Sequence, residues 1–293
     1  MALGCMRLEG PELLRAALQA GVRHFDSADV YGTSHTDGHG NEAMLAQELR
    51  EHPDAVVVTK VGFVRPPKGR WLPDGRARHL RAAALKSVET LGRVDQLLLH
   101  FPDPKRSLGM SMRALAKLRD EGRVRGIGVC NVTLAQLREC LSYDLVAVQV
   151  PLSVLDTEAI RGGVVGAALA AGLQVQAHSP FGGPKGARRI GRDATLGAIA
   201  ERHAVSPYSV ALAALVDLGV LPLPGPTRRS TLSALLQARD LVLEDQDRAA
   251  LDQAFPALRQ LRVPRAVRRG EPSEQEVVVF VAVVVGMVVV VVV

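Results

Sequence analysis

Aromatic side chains are scarce in this 293-residue chain: one Trp, three Tyr and six Phe make up 3% of it. The interior has to be filled with Ala, Val and Leu, so each remaining aromatic is more informative than usual. Cysteine is rarer still. Cys5, Cys130 and Cys140 form no C-x-x-C, show no metal spacing and are odd in number. This argues against a disulfide framework, and a reducing cytoplasm is the plain reading. The opening "MALGCMRLEGPELLRAALQ" carries charge where a secretory signal needs an apolar core.

Other motifs are missing as well. After the first strand candidate stands "GCMRLEG", not G-x-G-x-x-G, which argues against a doubly wound dinucleotide sheet. Without a G-x-S-x-G there is no nucleophile elbow for a Ser-His-Asp site. His100 and His178 lack carboxylate or thiolate companions in ligand spacing, so no metal is expected. The net charge of +6 is spread among acids and forms no basic stripe interleaved with aromatics. Nucleic acid is therefore not an expected partner, and small phosphate-bearing ligands suit the charge better.

What is present is alternation. Apolar β-rich runs fall at 2–6, 22–26, 56–60, 96–100, 126–129, 146–150, 174–177 and 220–223. Between them lie helical patterns, among them 11–20, 41–51, 79–91, 112–121, 133–141, 158–171 and 206–218. Runs such as "AVVVTK" and "DQLLLH" are continuously apolar, as strands buried on both faces must be. Eight strands, each followed by helical sequence, predict a closed (β/α)8 barrel over residues 1–263. A Pro-, Arg- and Glu-rich linker is expected at 264–276. The run "VVVFVAVVVGMVVVVVV" at 277–293 follows it. That run is at the short edge of the about 20 residues a spanning helix needs, and valine forms helices poorly. The expectation is a low-complexity appendage, with a membrane tail anchor as the alternative.

Several strands end in a reactive polar residue: Asp26, Lys60, His100, Asn131 just past its strand, Gln149 and His178. Each alone reads as a structural residue. Together they would share the C-terminal mouth of a barrel, where active sites are built. Tyr31 lies five residues beyond Asp26 in "FDSADVYG". A phenol is a reluctant acid near neutrality, and an adjacent ammonium favours its ionised form. Lys60 is therefore expected to bring the Tyr31 pKa down, with Asp26 offsetting the cost of burying the lysine. A neutral imidazole could orient a carbonyl.

These segments resemble the aldo-keto reductase family. "GVRHFDSADVYG" (21–32) resembles its first signature, "VVVTK" (56–60) its lysine strand and "DQLLLHFPD" (95–103) its histidine strand. "GRVRGIGVCN" (122–131), "VAVQVPLSVLD" (146–156) and "VLPLPGPTRRS" (220–230) follow in the family's order, and the resemblance runs from about residue 2 to about 255. It implies reduction of a small-molecule aldehyde or ketone by NADPH, with NADH as a second option, on a (β/α)8 barrel. By the same resemblance Tyr31 would be the general acid, tuned by Lys60 and Asp26, and His100 would align the carbonyl. Asn131 and Gln149 would hold the nicotinamide carboxamide, with His178 stacking on the ring. Leu223, Gly225, Thr227, Arg228 and Arg229 would bind the phosphate and adenosine side. Phe101 and Trp71 are expected at the substrate mouth, although a packed loop tryptophan is the other reading of Trp71.

The sequence departs from the family pattern in three places. The β-hairpin usually placed under the barrel floor is missing from the expected fold, Cys130 stands in place of a serine, and His178 in place of a larger aromatic. Two other functions remain open at this level. One is a cofactor-binding barrel without turnover that senses redox state or serves a partner. The other is a sugar-phosphate isomerase or aldolase with Lys60 as a Schiff-base lysine.

Overall fold

Eight short runs become strands: β1 (Leu3–Gly4), β2 (His24–Asp26), β3 (Val56–Val61), β4 (Gln96–Leu99), β5 (Gly126–Cys130), β6 (Leu145–Pro151), β7 (Gln174–His178) and β8 (Val220–Leu223). Each pairs in parallel with the next, in sequence order. The Gly4 N–H donates to Pro224 O at 2.9 Å, bringing the first strand against the end of the last. This contact favours glycine, because a Cβ on Gly4 would stand a tight 3.0 Å from Leu223 O. The computed structural model describes residues 1–32, 39–66, 68, 70–262, 280–284 and 287–291. Met1–Leu261 form one compact unit and Arg262–Val293 another.

Helices follow the strands: α1 (Glu12–Gln19), α2 (Gly40–Glu48), α3 (Ala77–Leu91), α4 (Leu108–Asp120), α5 (Leu134–Cys140), α6 (Glu158–Arg161), α7 (Val164–Ala170), α8 (Gly183–Ile190), α9 (Ala194–Arg202), α10 (Pro207–Asp217), α11 (Arg229–Asp240) and α12 (Asp245–Ala254). Strand residues alternate between two environments, as the period of two requires. Leu97, Leu99, Ile127 and Val129 pack outward with Leu80, Met112 and Leu115. Val58, Leu98, Cys130 and Ala147 pack inward as a small apolar tier. The same parity sends Asp26, Lys60, His100, Gln149 and His178 inward, one tier higher.

The helix expected over 158–171 is two helices. Gly162 and Gly163 interrupt it, with Gly163 at φ 78°, a conformation that favours glycine. An antiparallel hairpin of Phe63–Val64 with Leu72–Pro73 decorates the loop after β3. In the valine-rich run, Phe280–Val284 pairs antiparallel with Met287–Val291, as the β preference of branched side chains favours. Among the described residues no helix is long and apolar enough to cross a membrane. The expected linker at 264–276 lies outside the described residues.

Candidate active site

Lys60 is 1% exposed, and each of its three ammonium protons has an acceptor. Nζ donates to Asp26 Oδ2 at 2.8 Å, to Ser27 O at 2.6 Å and to the Tyr31 hydroxyl at 3.3 Å. The loop that carries Tyr31 is clipped to β3 by Ser27 N–H to Val58 O and Asp29 N–H to Lys60 O. Burial alone would lower the Lys60 pKa, but Asp26 and Tyr31 reverse this and hold it raised, so the ammonium stays charged. For Tyr31, burial pushes the pKa up to about 12 and outweighs the opposing pull of Lys60. This corrects the expectation that Lys60 would bring the phenol down: in this structure Tyr31 is a neutral phenol. Because its oxygen accepts from Lys60, its own proton is free to point elsewhere.

His100 sits 7% exposed beside Tyr31, the ring centroids 5.8 Å apart at 77°. Burial, and then the Lys60 charge, hold its pKa well below the usual imidazole value, so the ring is neutral. Its Nδ1 is buried without a partner among the described residues, so the ring meets the cavity through its other edge. Burial also takes His178 down to about 4. Asn131 adopts a left-handed conformation at φ 58°, and its Nδ2 donates to His100 O at 3.0 Å. That bond leaves Asn131 Oδ1 as an acceptor 2.9 Å from His178 Nε2, which must carry the ring proton. Gln149 Nε2 donates to Asp26 Oδ1 at 2.8 Å.

These groups converge on a cavity of ≈ 420 Å³. Tyr31, Asp26, His100, Asn131, Gln149, His178, Trp71, Leu223 and Gly225 all line it. Trp71 packs 5.9 Å from the Tyr31 ring, and Phe63 stands 4.7 Å from His100. Lys60 does not line the cavity; it lies behind Tyr31. Phe101 is not in the lining either. It is 40% exposed and meets Phe63 at 6.0 Å, two residues past the end of β4. Thr227, Arg228 and Arg229 are exposed beyond Gly225, at the start of α11, and neither arginine has an ion-pair partner among the described residues.

Several contributors are marked by no motif in the sequence, Phe63 and Gly4 among them. Arg7, on the loop after β1, and Phe181, just past β7, line the cavity, and neither lies in a motif with a legible role. Gln176, behind Gln149, had a visible signal: Gln174, Gln176 and His178 alternate in an otherwise apolar strand. The lining fits a nicotinamide cofactor in two respects. Gln149 has spent both N–H groups on the protein and keeps only its Oε1 for a ligand. Gly225 and Gly4 keep the floor beside Leu223 free of side chains, and a Cβ on Gly225 would stand 3.2 Å from Gly4 O. No group of His, Cys, Asp and Glu that could hold a metal occurs among the described residues.

The model of the Aldo/keto reductase family matches residues 7–255. The chain is 30% identical to a 6-dehydroglucose reductase of Agrobacterium fabrum, over 80% of this chain and 83% of that protein. It is 26% identical to the methylglyoxal reductase DkgB of Salmonella typhimurium, over 85% and 90% of the two chains. A solved thermostable aldo-keto reductase, Tm1743, in complex with the inhibitor epalrestat superposes with a TM-score of 0.71 at 26% identity, over 86% of this chain and 93% of that one. With a family model spanning the barrel and a tyrosine, lysine, aspartate and histidine gathered at its mouth, the chain belongs to the aldo/keto reductase family.

Proposed function

We propose that the protein reduces an aldehyde or ketone to the alcohol with NADPH, and that Tyr31 is the general acid. One observation carries the reading: a neutral phenol on the cavity wall whose oxygen is hydrogen-bonded by a buried, charged lysine. The reductase names of the relatives are in keeping with it. NADPH would supply the hydride, and Asn131, Gln149, His178, Leu223 and Gly225 would hold it, with Thr227, Arg228 and Arg229 at its phosphate end.

The chain's own residues account for the proton. A carbonyl oxygen between Tyr31 and His100 would accept hydrogen bonds from both. As negative charge develops on that oxygen, the Tyr31 proton moves to it, since an alkoxide is a stronger base than a phenolate. The phenolate left behind lies 3.3 Å from the Lys60 ammonium, which stabilises it. Asp26 keeps the ammonium in place and charged. Phe63 and Trp71 present apolar rings beside the reacting end, which suits an apolar substituent on the carbonyl.

The Schiff-base alternative fits poorly. A lysine that condenses with a carbonyl has to be neutral and reachable, and Lys60 is charged, saturated with acceptors and absent from the lining. The test is to follow NADPH absorbance with a panel of aldehydes and ketones. Carbonyl-dependent oxidation of NADPH is the expected result. Its absence over the whole panel, together with borohydride trapping of a substrate on Lys60, would overturn the proposal.

A further inference from the structure

Below the site, four glutamines form a ladder through the barrel. Gln149 Nε2 donates to Asp26 Oδ1 at 2.8 Å and to Gln176 Oε1 at 2.9 Å. Gln176 Nε2 donates to Gln96 Oε1 and to Gln174 Oε1, both at 2.7 Å. Gln96 Nε2 then donates to Gln174 Oε1 at 3.2 Å. An amide can face a neighbour with either end, so a chain of amides could run in either sense. One member decides the sense here. Asp26, whose other oxygen accepts from Lys60, is a carboxylate that can only accept, so Gln149 must turn its nitrogen towards it.

Gln149 is therefore held at two points. Asp26 takes one N–H and Gln176 takes the other, which fixes the amide plane and leaves Oε1 to the cavity. Gln176 is 0% exposed and absent from the cavity lining. A leucine would fill that space without the cost of burying an amide. Gln176 instead provides the second anchor of Gln149, and its own N–H groups find acceptors at the barrel floor.

We propose that Gln176 is a positioning residue: acting through Gln149, it aims a hydrogen-bond acceptor at the cavity to receive the carboxamide N–H of the nicotinamide end. The inference rests on the reading that the cavity takes NADPH. It predicts that Gln176 affects the nicotinamide end of the ligand and not the rest.

Isothermal titration calorimetry with NADPH, and with 2′-phospho-ADP-ribose, which lacks the nicotinamide, separates the two. Gln176→Leu should weaken NADPH by about 5–10-fold, the worth of one well-placed hydrogen bond, and leave 2′-phospho-ADP-ribose within about twofold. In a Gln149→Met background, Gln176→Leu should cost nothing further. Gln176→Glu, which is neutral when buried and then offers the same acceptor to Gln149 and a donor to the floor, should restore NADPH affinity. It also serves where the leucine variant does not fold. Equal weakening of both ligands, no weakening of either, an undiminished effect without Gln149, or failure of Gln176→Glu to retain affinity would overturn the proposal. If the unmodified protein binds 2′-phospho-ADP-ribose but gains nothing from the nicotinamide, this inference alone falls. If it binds neither ligand, the functional reading falls and takes this inference with it.

Discussion

The Lys60 ammonium donates to the Tyr31 hydroxyl across 3.3 Å while its 2.8 Å bond to Asp26 holds it from the other side. The phenol and the lysine are therefore one proton-transfer unit. Tyr31→Phe keeps the ring and removes the acid, so carbonyl-reducing turnover should fall by at least ~100-fold with little change in NADPH affinity. Lys60→Met should act similarly, and the double variant should be no worse than the poorer single one. Lys60→Met also leaves Asp26 buried without its counter-charge and should cost roughly 3–5 kcal/mol in a denaturant titration. Retention of most of the rate by Tyr31→Phe would make Tyr31 a packing residue.

Asp29 gives stability a pH dependence of its own. Burial, and then the neighbouring Glu42, push its pKa from 3.8 up to about 8, and its Oδ1 is buried without a partner among the described residues. The folded state therefore holds this proton more tightly than the unfolded chain does. Its contribution to stability is complete below about pH 4 and is lost as pH rises through about 8. Unfolding free energies from denaturant titrations at pH 5 and pH 8 should differ by roughly 1–3 kcal/mol, with the protein less stable at pH 8. Asp29→Asn should remove most of that difference. A slope of the same size in the variant would place its origin elsewhere.

Arg228 and Arg229 are exposed cations without ion-pair partners among the described residues, at the start of α11. A guanidinium fork suits a phosphate dianion. NADPH should bind more tightly than NADH, and replacing both arginines with alanine should narrow the gap by about tenfold or more. Equal dissociation constants in the unmodified protein would contradict the assignment.

The valine-rich run belongs to the unit Arg262–Val293, outside the barrel unit. A chain ending at Gly270 should keep its melting temperature and its turnover. Loss of either would give the terminal segment a role in the barrel's stability or chemistry.

Much of this was legible in the sequence, for identifiable reasons. Buried parallel strands are continuous apolar runs, so β3 and β4 stood out, and a polar residue closing such a run is conspicuous. Asp26, Lys60 and His100 were found that way. What stayed hidden depends on closure of the barrel. Gln149 and Asp26 are 123 residues apart and meet only across the closed barrel, so no local pattern reveals their bond. The direction of the Tyr31 pKa shift was not legible, because a sequence names charged neighbours but not the depth of burial that competes with them. Phe101 lies past the end of β4, where no strand period tells which way a side chain turns. The Gly162–Gly163 pair is visible in the sequence, but the apolar periodicity on both sides of it runs on as one helical pattern and hides the break.

The junction between Gly4 and Pro224 has a consequence for motion. Strand β1 is two residues long, and a single backbone bond, not a ladder, carries it to the last strand. Local openings of a barrel start where the fewest bonds must break, so this junction is where the wall should part most readily. Gly4, Leu223 and Gly225 flank the junction and also line the cavity. A ligand resting on all three would act as a clasp, and the Gly4 amide should exchange its hydrogen more slowly when the cavity is filled.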